Sequence, residues 1–127
     1  MDKYQHDVIV DALKKILGQD FKEISKNMDG VVYENQHIRI QVNYFTSGND
    51  KSVLLGIKKI GENKSYFFGE YLSHIGEEEI KPKDAEDDSH FINRYLDVFR
   101  RHYEGSLKDV TSGKKWIDVP RNFGTYR

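Results

Sequence analysis

The chain opens with apolar positions spaced three and four residues apart, the spacing that lines one side of a helix. Asp2 is suited to cap the start of such a helix, and Gly18 is suited to end it. The pattern therefore predicts an amphipathic helix between these two residues, with the following positions on its apolar side: Tyr4, Val8, Ala12, Leu13, Ile16 and Leu17.

From Gly30 to about Ile75 the apolar positions alternate with polar ones, as in half-buried β-strands. Short turns separate the runs, and loops this short join antiparallel neighbours because a parallel pair needs a long crossover. The stretch from Phe21 to Asn27 fits either a strand or a frayed helix. The sequence thus predicts an antiparallel β-meander of four or five strands, with these apolar positions: Val31, Tyr33, Ile38, Ile40, Val42, Tyr44, Val53, Leu55, Ile57 and the run Ser65–Phe68.

A second helical pattern follows a polar segment. Asp88 or Ser89 can cap its start and Gly105 can end it. Its apolar positions are Ile92, Tyr95, Leu96, Phe99 and Tyr103. We expect both helices to pack mainly on one face of the sheet, which gives an α+β fold in a single domain over 1–127.

The other face of this sheet is predicted to carry Phe45, Leu54, Phe67 and Tyr71 among polar neighbours. Antiparallel sheets usually present a polar outer face, so these side chains need an explanation. One interpretation is that the C-terminal tail folds back over them with Trp116, Phe123 and Tyr126. The other is that they form an apolar patch for a partner protein.

Composition narrows the functional classes. The chain has 127 residues, 37% hydrophobic and 32% charged, with formal net charge −1 and no cysteine. These values favour a folded domain in a reducing compartment and make nucleic acid an unlikely partner. The N-terminus has no secretory pattern and no stretch is apolar enough for a membrane span, so we expect a cytoplasmic protein with no membrane partner.

Candidate chemistry is sparse. The five histidines lack the spacing of a metal site, so no metal or other cofactor is predicted. The run Thr111–Lys115 resembles a phosphate-binding loop, but Lys108 stands at its upstream glycine position and Lys115 at its hydroxyl position. Neither Ser73 nor Ser89 lies in a nucleophile motif. We therefore nominate no catalytic residue and expect a binding protein instead of an enzyme.

Charge is unevenly distributed along the chain. Between 77 and 88 seven acids stand against two lysines, whereas the residues beyond Ser89 carry four more positive than negative charges. The segment can be a solvated connection, or a surface that steers a basic partner toward the protein. On the second interpretation the partner-binding residues are Glu77, Glu78, Glu79, Asp84, Glu86, Asp87 and Asp88, together with Phe67 and Tyr71.

The order of elements, the runs Val31–Glu34 and Ile38–Val42, and the ending Trp116–Asn122 resemble small immunity proteins of bacterial polymorphic toxin and contact-dependent inhibition systems. The resemblance implies a cytoplasmic, non-catalytic protein that neutralises one cognate toxin, such as a nuclease. It assigns no binding residue. The alternatives are a small enzyme, a nucleic-acid-binding accessory protein, or a phage-encoded inhibitor of a host defence enzyme.

Overall fold

Five antiparallel strands form a single sheet in the computed structural model, which describes residues 1–27, 30–48 and 50–120. The strands are β1 (Lys22–Asn27), β2 (Gly30–Glu34), β3 (Ile38–Ser47), β4 (Asp50–Lys59) and β5 (Ser65–Phe67), and their order in space equals their order in sequence. The helices are α1 (Lys3–Leu17), α2 (Phe68–His74), α3 (Asp88–Glu104) and α4 (Lys108–Thr111), with a 3₁₀ turn at Gly18–Asp20. The predicted α+β meander is confirmed.

The segment Phe21 to Asn27, for which the sequence fits either a strand or a frayed helix, contains the edge strand β1. It pairs with β2 and carries a bulge between Glu23 and Ser25. The Tyr33 hydroxyl donates to Glu23 Oε1 at 3.0 Å across this pair. Burial raises the pKa of Tyr33 to about 12, and the neighbouring Glu23 carboxylate adds to this effect. A bulge increases the twist of an edge strand and interrupts its hydrogen-bond ladder, which hinders pairing with a further strand.

Alternate side chains of the strands point to one face, where the helices cover them. Ile40 stands opposite Ile57, and Val42 opposite Leu55, in the register of β3 and β4. The helices contribute Leu13, Phe99 and other apolar residues to the same cluster. The buried side chains of all these elements form one contiguous core, as expected for helices packed on one face.

Local capping interactions fix the helix ends. At α1 the Gln5 N–H donates to Asp2 Oδ1 at 2.8 Å, and the Asp2 N–H donates to Gln5 Oε1 at 3.0 Å. At α3 the cap is Asp87, whose Oδ1 accepts from the His90 N–H at 2.8 Å. The cap is therefore neither Asp88 nor Ser89, as was predicted, but the residue before them, and Asp88 is left to bond elsewhere.

The segment after β5 is helical, and the predicted continuation of the strand toward Ile75 is wrong. Phe68, Tyr71 and Leu72 follow the three- and four-residue spacing of a helix and are buried together. Tyr71 is only 1% exposed, and its hydroxyl donates to Ser106 Oγ at 2.6 Å. Its expected place on the outer face with Phe67 is therefore wrong, because the helical turn directs it into the core.

The chain beyond α4 continues to Pro120 without regular structure. Trp116, Ile117 and Val119 are half-buried against the core. Phe123 and Tyr126, which were expected to cover the second face, lie outside the described residues, so that prediction stays open. Among the helices that the structure describes, none has the length and apolar character needed to cross a membrane.

Candidate functional site

The outer face of the sheet, which is turned away from the helices, exposes three large apolar side chains. Phe45, Leu54 and Phe67 are 50%, 40% and 44% exposed and lie on the successive strands β3, β4 and β5. Every outward-pointing residue of β3 and β4 is at least partly exposed, so no described element covers this surface. We call these three residues the outer patch. Such a patch with polar neighbours is typical of a protein-binding surface.

A glycine shapes the middle of the outer patch. Gly56 stands opposite Phe67 in the register of β4 and β5. A Cβ added at Gly56 would lie 3.8 Å from the Phe67 ring, in ordinary van der Waals contact. The ring therefore lies over a position that has no side chain, and the surface there is flat and aromatic.

Charged and polar side chains border the outer patch on β2 and β3. Arg39 forms an ion pair with Glu34, which stands opposite it in the register. Gln41 and Asn43 follow Arg39 on the outward side of β3, and the Gln41 amide donates to Asn43 Oδ1 at 3.4 Å. The outer patch thus gives way to charged and polar side chains on β2 and β3. Ile24, which is 55% exposed, lies beyond them on β1.

The acidic segment, residues 77–87, runs back along α3 in the opposite direction, and we call it the acidic strap. Its start lies by the end of α3, where Glu77 Oε2 is 2.9 Å from His102 Nε2. Its middle lies by Arg94, which donates to the Lys81 carbonyl oxygen at 2.5 Å. Its end caps α3 at Asp87.

Glu86 is a fixed part of the fold and not a displayed acid, so its expected exposure is wrong. Its side chain is 3% exposed, and both of its oxygens accept from Arg94 at 2.9 Å. His90 Nδ1 lies 2.5 Å from Oε2, and the Lys83 N–H donates to Oε1 at 3.0 Å. The bidentate Arg94 contact is the main cause that holds the pKa of Glu86 well below its ordinary value.

Asp88 is likewise engaged inside the protein. It accepts hydrogen bonds from the Tyr44 hydroxyl at 2.7 Å and from Gln5 Nε2 at 2.8 Å, and Lys51 Nζ lies 3.1 Å away. The Tyr44 hydrogen bond is the largest cause that lowers the pKa of Asp88. One carboxylate thus joins α1, β3, β4 and α3.

The seven predicted acids therefore separate into two groups. Glu86, Asp87 and Asp88 hold the end of the strap, and Glu77 pairs with His102. Glu78, Glu79 and Asp84 remain exposed and have no salt bridge to another described residue. These three carboxylates, the displayed acids, are the exposed acids of the predicted charged surface that pair with no other described residue.

The end of the acidic strap and the Phe45 side of the outer patch adjoin one end of the β3–β4 hairpin, whereas Glu78 and Glu79 follow Glu77 at the other end of the strap. Lys51 of β4 donates to the Glu86 carbonyl oxygen at 2.7 Å and thereby ties the strap to the hairpin. Lys51 stands opposite Thr46, next to the Phe45–Ser52 pair. The strap attaches on the inner side of this hairpin end, and Phe45 projects on its outer side.

A serine, a histidine and a glutamate also meet beside the strap. His102 Nδ1 lies 3.0 Å from Ser106 Oγ, and its Nε2 faces Glu77 as described above. This order of contacts resembles a catalytic triad in composition. However, Ser106 lines none of the four clefts characterised in the structure. The contacts connect α2, α3 and the strap, and we assign them a structural role.

A cleft with a volume of about 710 Å³ lies between the start of β1, the β2–β3 turn and the ends of α3 and α4. Tyr103 and Phe21 form part of its wall, with ring centroids 6.3 Å apart. Two acids line it, Asp20 and Glu104, and Glu104 is paired with Arg100 at 3.0 Å. In the part of the chain that the structure describes, no group of three or more potential ligands is arranged to hold a metal ion.

The chain matches no protein family model, no curated protein and no solved structure. The functional proposal therefore depends on the geometry and charge of the surfaces described above.

Proposed function

We propose that this protein is a non-catalytic immunity protein, which binds a cognate protein toxin and blocks it. The observation that supports the proposal most directly is the outer patch, in which three large apolar side chains share an uncovered sheet face. A partner that covers this patch removes apolar surface from water, and each fully covered side chain can contribute about 1.5–3 kcal/mol.

The displayed acids give this surface a preferred partner. Three exposed carboxylates on one segment attract a basic protein surface and raise its association rate at low ionic strength. A toxin that cleaves nucleic acid needs a basic cleft to hold phosphates, so a nuclease toxin fits this charge. We propose that the outer patch forms the centre of the interface and Asp84 contacts its rim, as in many protein complexes. Glu78 and Glu79 attract the basic partner from a greater distance.

We expect this gene to lie beside one that encodes a toxin domain. The proposal is tested by expressing that domain in cells that do or do not make the protein. We expect restored growth and a stoichiometric complex of the two purified proteins. Leu54→Asp and the double change Glu78→Lys with Glu79→Lys should each weaken the complex, because the first places a charge in the patch and the second reverses the steering field.

Two matched variants control for changes that are not specific to the surface. Tyr4→Asp alters an exposed aromatic residue on α1, and Asp7→Lys with Asp11→Lys reverses two exposed acids on the same helix. Both controls should retain protection. If the strap and patch variants protect as well as the controls do, the binding surface proposed here is wrong.

Ser106→Ala distinguishes binding from catalysis. An inhibitor that acts by covering its partner keeps its protection without the Ser106 hydroxyl, whereas an enzyme that used the serine would lose it. Circular dichroism of the variant checks that the fold remains. Loss of protection by a folded Ser106→Ala variant would replace this proposal with an enzymatic one.

A further inference from the structure

A second, smaller cleft of about 190 Å³ lies on the side of the molecule where the β2–β3 turn meets the segment after α4. Three separate parts of the chain form it. They are the start of β3, the end of β4, and part of the run Thr111–Lys115, which resembles a phosphate-binding loop. The lining residues that matter for binding are Gln36, His37, Lys59, Lys114, Lys115 and Trp116.

Hydrogen bonds outside the cleft hold its walls together. The Asn35 side chain donates to the Thr111 carbonyl oxygen at 2.8 Å, which joins the β2–β3 turn to α4. The Ile60 N–H donates to the His37 carbonyl oxygen at 2.9 Å, which joins the end of β4 to the same turn. These contacts use backbone and amide groups, and the cationic side chains are left available.

Gly113 allows the close approach that forms the cleft. Its φ is +79°, in the left-handed region that favours glycine, and a Cβ there would lie 2.4 Å from His37 Nδ1. The imidazole ring therefore packs directly against the Gly113 backbone. Any other residue would have to move the ring away from Lys114 and Lys115.

The charge of the cleft has one sign. Three lysines line it and no carboxylate does. Lys59 is partly neutralised by Glu62, whose Oε2 lies 2.6 Å from its Nζ. Lys114 and Lys115 form no salt bridge with any residue in the described ranges, and both are exposed residues that line the cleft.

We propose that this cleft binds a phosphate group. The two uncompensated lysines provide the charge, and the imidazole N–H and the Gln36 amide provide further donors. A cleft of this size is smaller than the usual 300–1,000 Å³ of a site for a whole cofactor, so it suits a single anionic group. The site is unlike a phosphate-binding loop, because α4 precedes Gly113 and the N–H groups of Lys114 and Lys115 already bond to the Asp109 carbonyl oxygen.

The test is a titration of the full chain with inorganic phosphate at constant ionic strength, followed by amide and indole NMR shifts. We expect saturable shifts at Gly113, Lys114 and the Trp116 indole. Lys114→Gln with Lys115→Gln should weaken binding at least about tenfold, equivalent to about 1.4 kcal/mol. Lys14→Gln with Lys15→Gln, which removes an exposed adjacent pair from α1, should leave it unchanged.

A parallel titration with a short single-stranded RNA identifies the source of the phosphate. Tighter binding of RNA that requires Lys114 and Lys115 assigns the group to a nucleic acid backbone, whereas binding of phosphate alone assigns it to a small molecule. Gly113→Ala should weaken either ligand by displacing His37. Shifts that do not saturate, or equal losses in the two lysine variants, would overturn the proposal because they indicate general charge screening.

Discussion

Phe67 and Phe68 are neighbours in sequence and opposites in environment. Phe67 ends β5 and projects from the outer face, where it covers Gly56. Phe68 begins α2 and is fully buried, with its ring centroid 5.3 Å from that of Phe99 at an interplanar angle of 90°. Successive side chains at the end of a strand point to opposite faces, so these two identical rings lie on opposite sides of the sheet.

The contrast extends to the two faces as a whole. Phe68 also contacts the rings of Tyr95 and His102, with centroids 6.0 and 5.7 Å away. On the outer face, Phe45 and Phe67 lie on strands separated by β4. The fold therefore depends on the inner face, and the outer face can differ in sequence without loss of the core. Such a division suits a protein that must adapt to one partner.

The largest expected effect comes from truncating the inner ring. Phe68→Ala should reduce the free energy of unfolding by about 3–5 kcal/mol, because it leaves a cavity among aromatic rings. Phe67→Ala should reduce it by less than about 1 kcal/mol, as for most surface changes. Urea denaturation of both variants measures the difference. Equal losses would show that the outer patch supports the fold.

A smaller effect is expected from the acid that joins four elements. Asp88→Ala should cost about 2 kcal/mol, because Tyr44, Gln5 and Lys51 lose a charged acceptor. Glu78→Ala, which alters a displayed acid, should leave the midpoint of thermal unfolding nearly unchanged. Differential scanning calorimetry compares the two. A similar shift for Glu78→Ala would contradict the separation of the strap into structural and displayed acids.

Acid should weaken the protein through the same carboxylates. The folded-state pKa values of Asp88 and Glu86 lie below their ordinary values of 3.8 and 4.5. Their stabilising contribution is therefore complete above about pH 4.5 and is lost as the pH falls through the lower, folded-state values. Urea denaturation between pH 6 and pH 3 should show a shallower decline for Asp88→Asn than for the unchanged protein. Parallel declines would exclude Asp88 as a source of acid sensitivity.

The smallest effect concerns the flat part of the outer patch. Gly56→Ala should raise the free energy of unfolding by at most about 1 kcal/mol, since alanine restricts the unfolded chain and its Cβ fits against Phe67. The same methyl group roughens the surface that we propose for the toxin. Urea denaturation and toxin binding, both measured on one preparation of the variant, separate its effect on stability from its effect on affinity. An unchanged affinity for the toxin would show that the toxin does not contact the surface around Gly56.

The strands β2 to β4 and helix α3 could be predicted because their side chains repeat every two or every three to four residues over long runs. Helix α2 could not be predicted, because its seven residues follow directly on β5. The aromatic residues Tyr66, Phe67 and Phe68 also fit the pattern of a strand. One local signal was present. Glu70 stands three residues after Phe67 and accepts from its N–H at 2.8 Å, as in half of a capping box.

The candidate site was only partly predictable for a related reason. The acidic run and the apolar outward positions Phe45, Leu54 and Phe67 are visible in sequence. The partners that remove Glu86 and Asp88 from the surface are set by tertiary packing. Gln5 is 83 residues from Asp88 and Tyr44 is 44 residues from it. The cleft with Lys114 and Lys115 likewise needs His37, which only the folded chain brings near.

The position of Asp88 constrains the order in which the protein can assemble during synthesis. Its contacts reach Gln5, near the start of the chain, and α1 packs chiefly on α3. While the ribosome is still adding the strands, α1 lacks α3, the element on which it chiefly packs. We expect it to dock only after α3 has emerged, so α1 is made before the strands and secured after them.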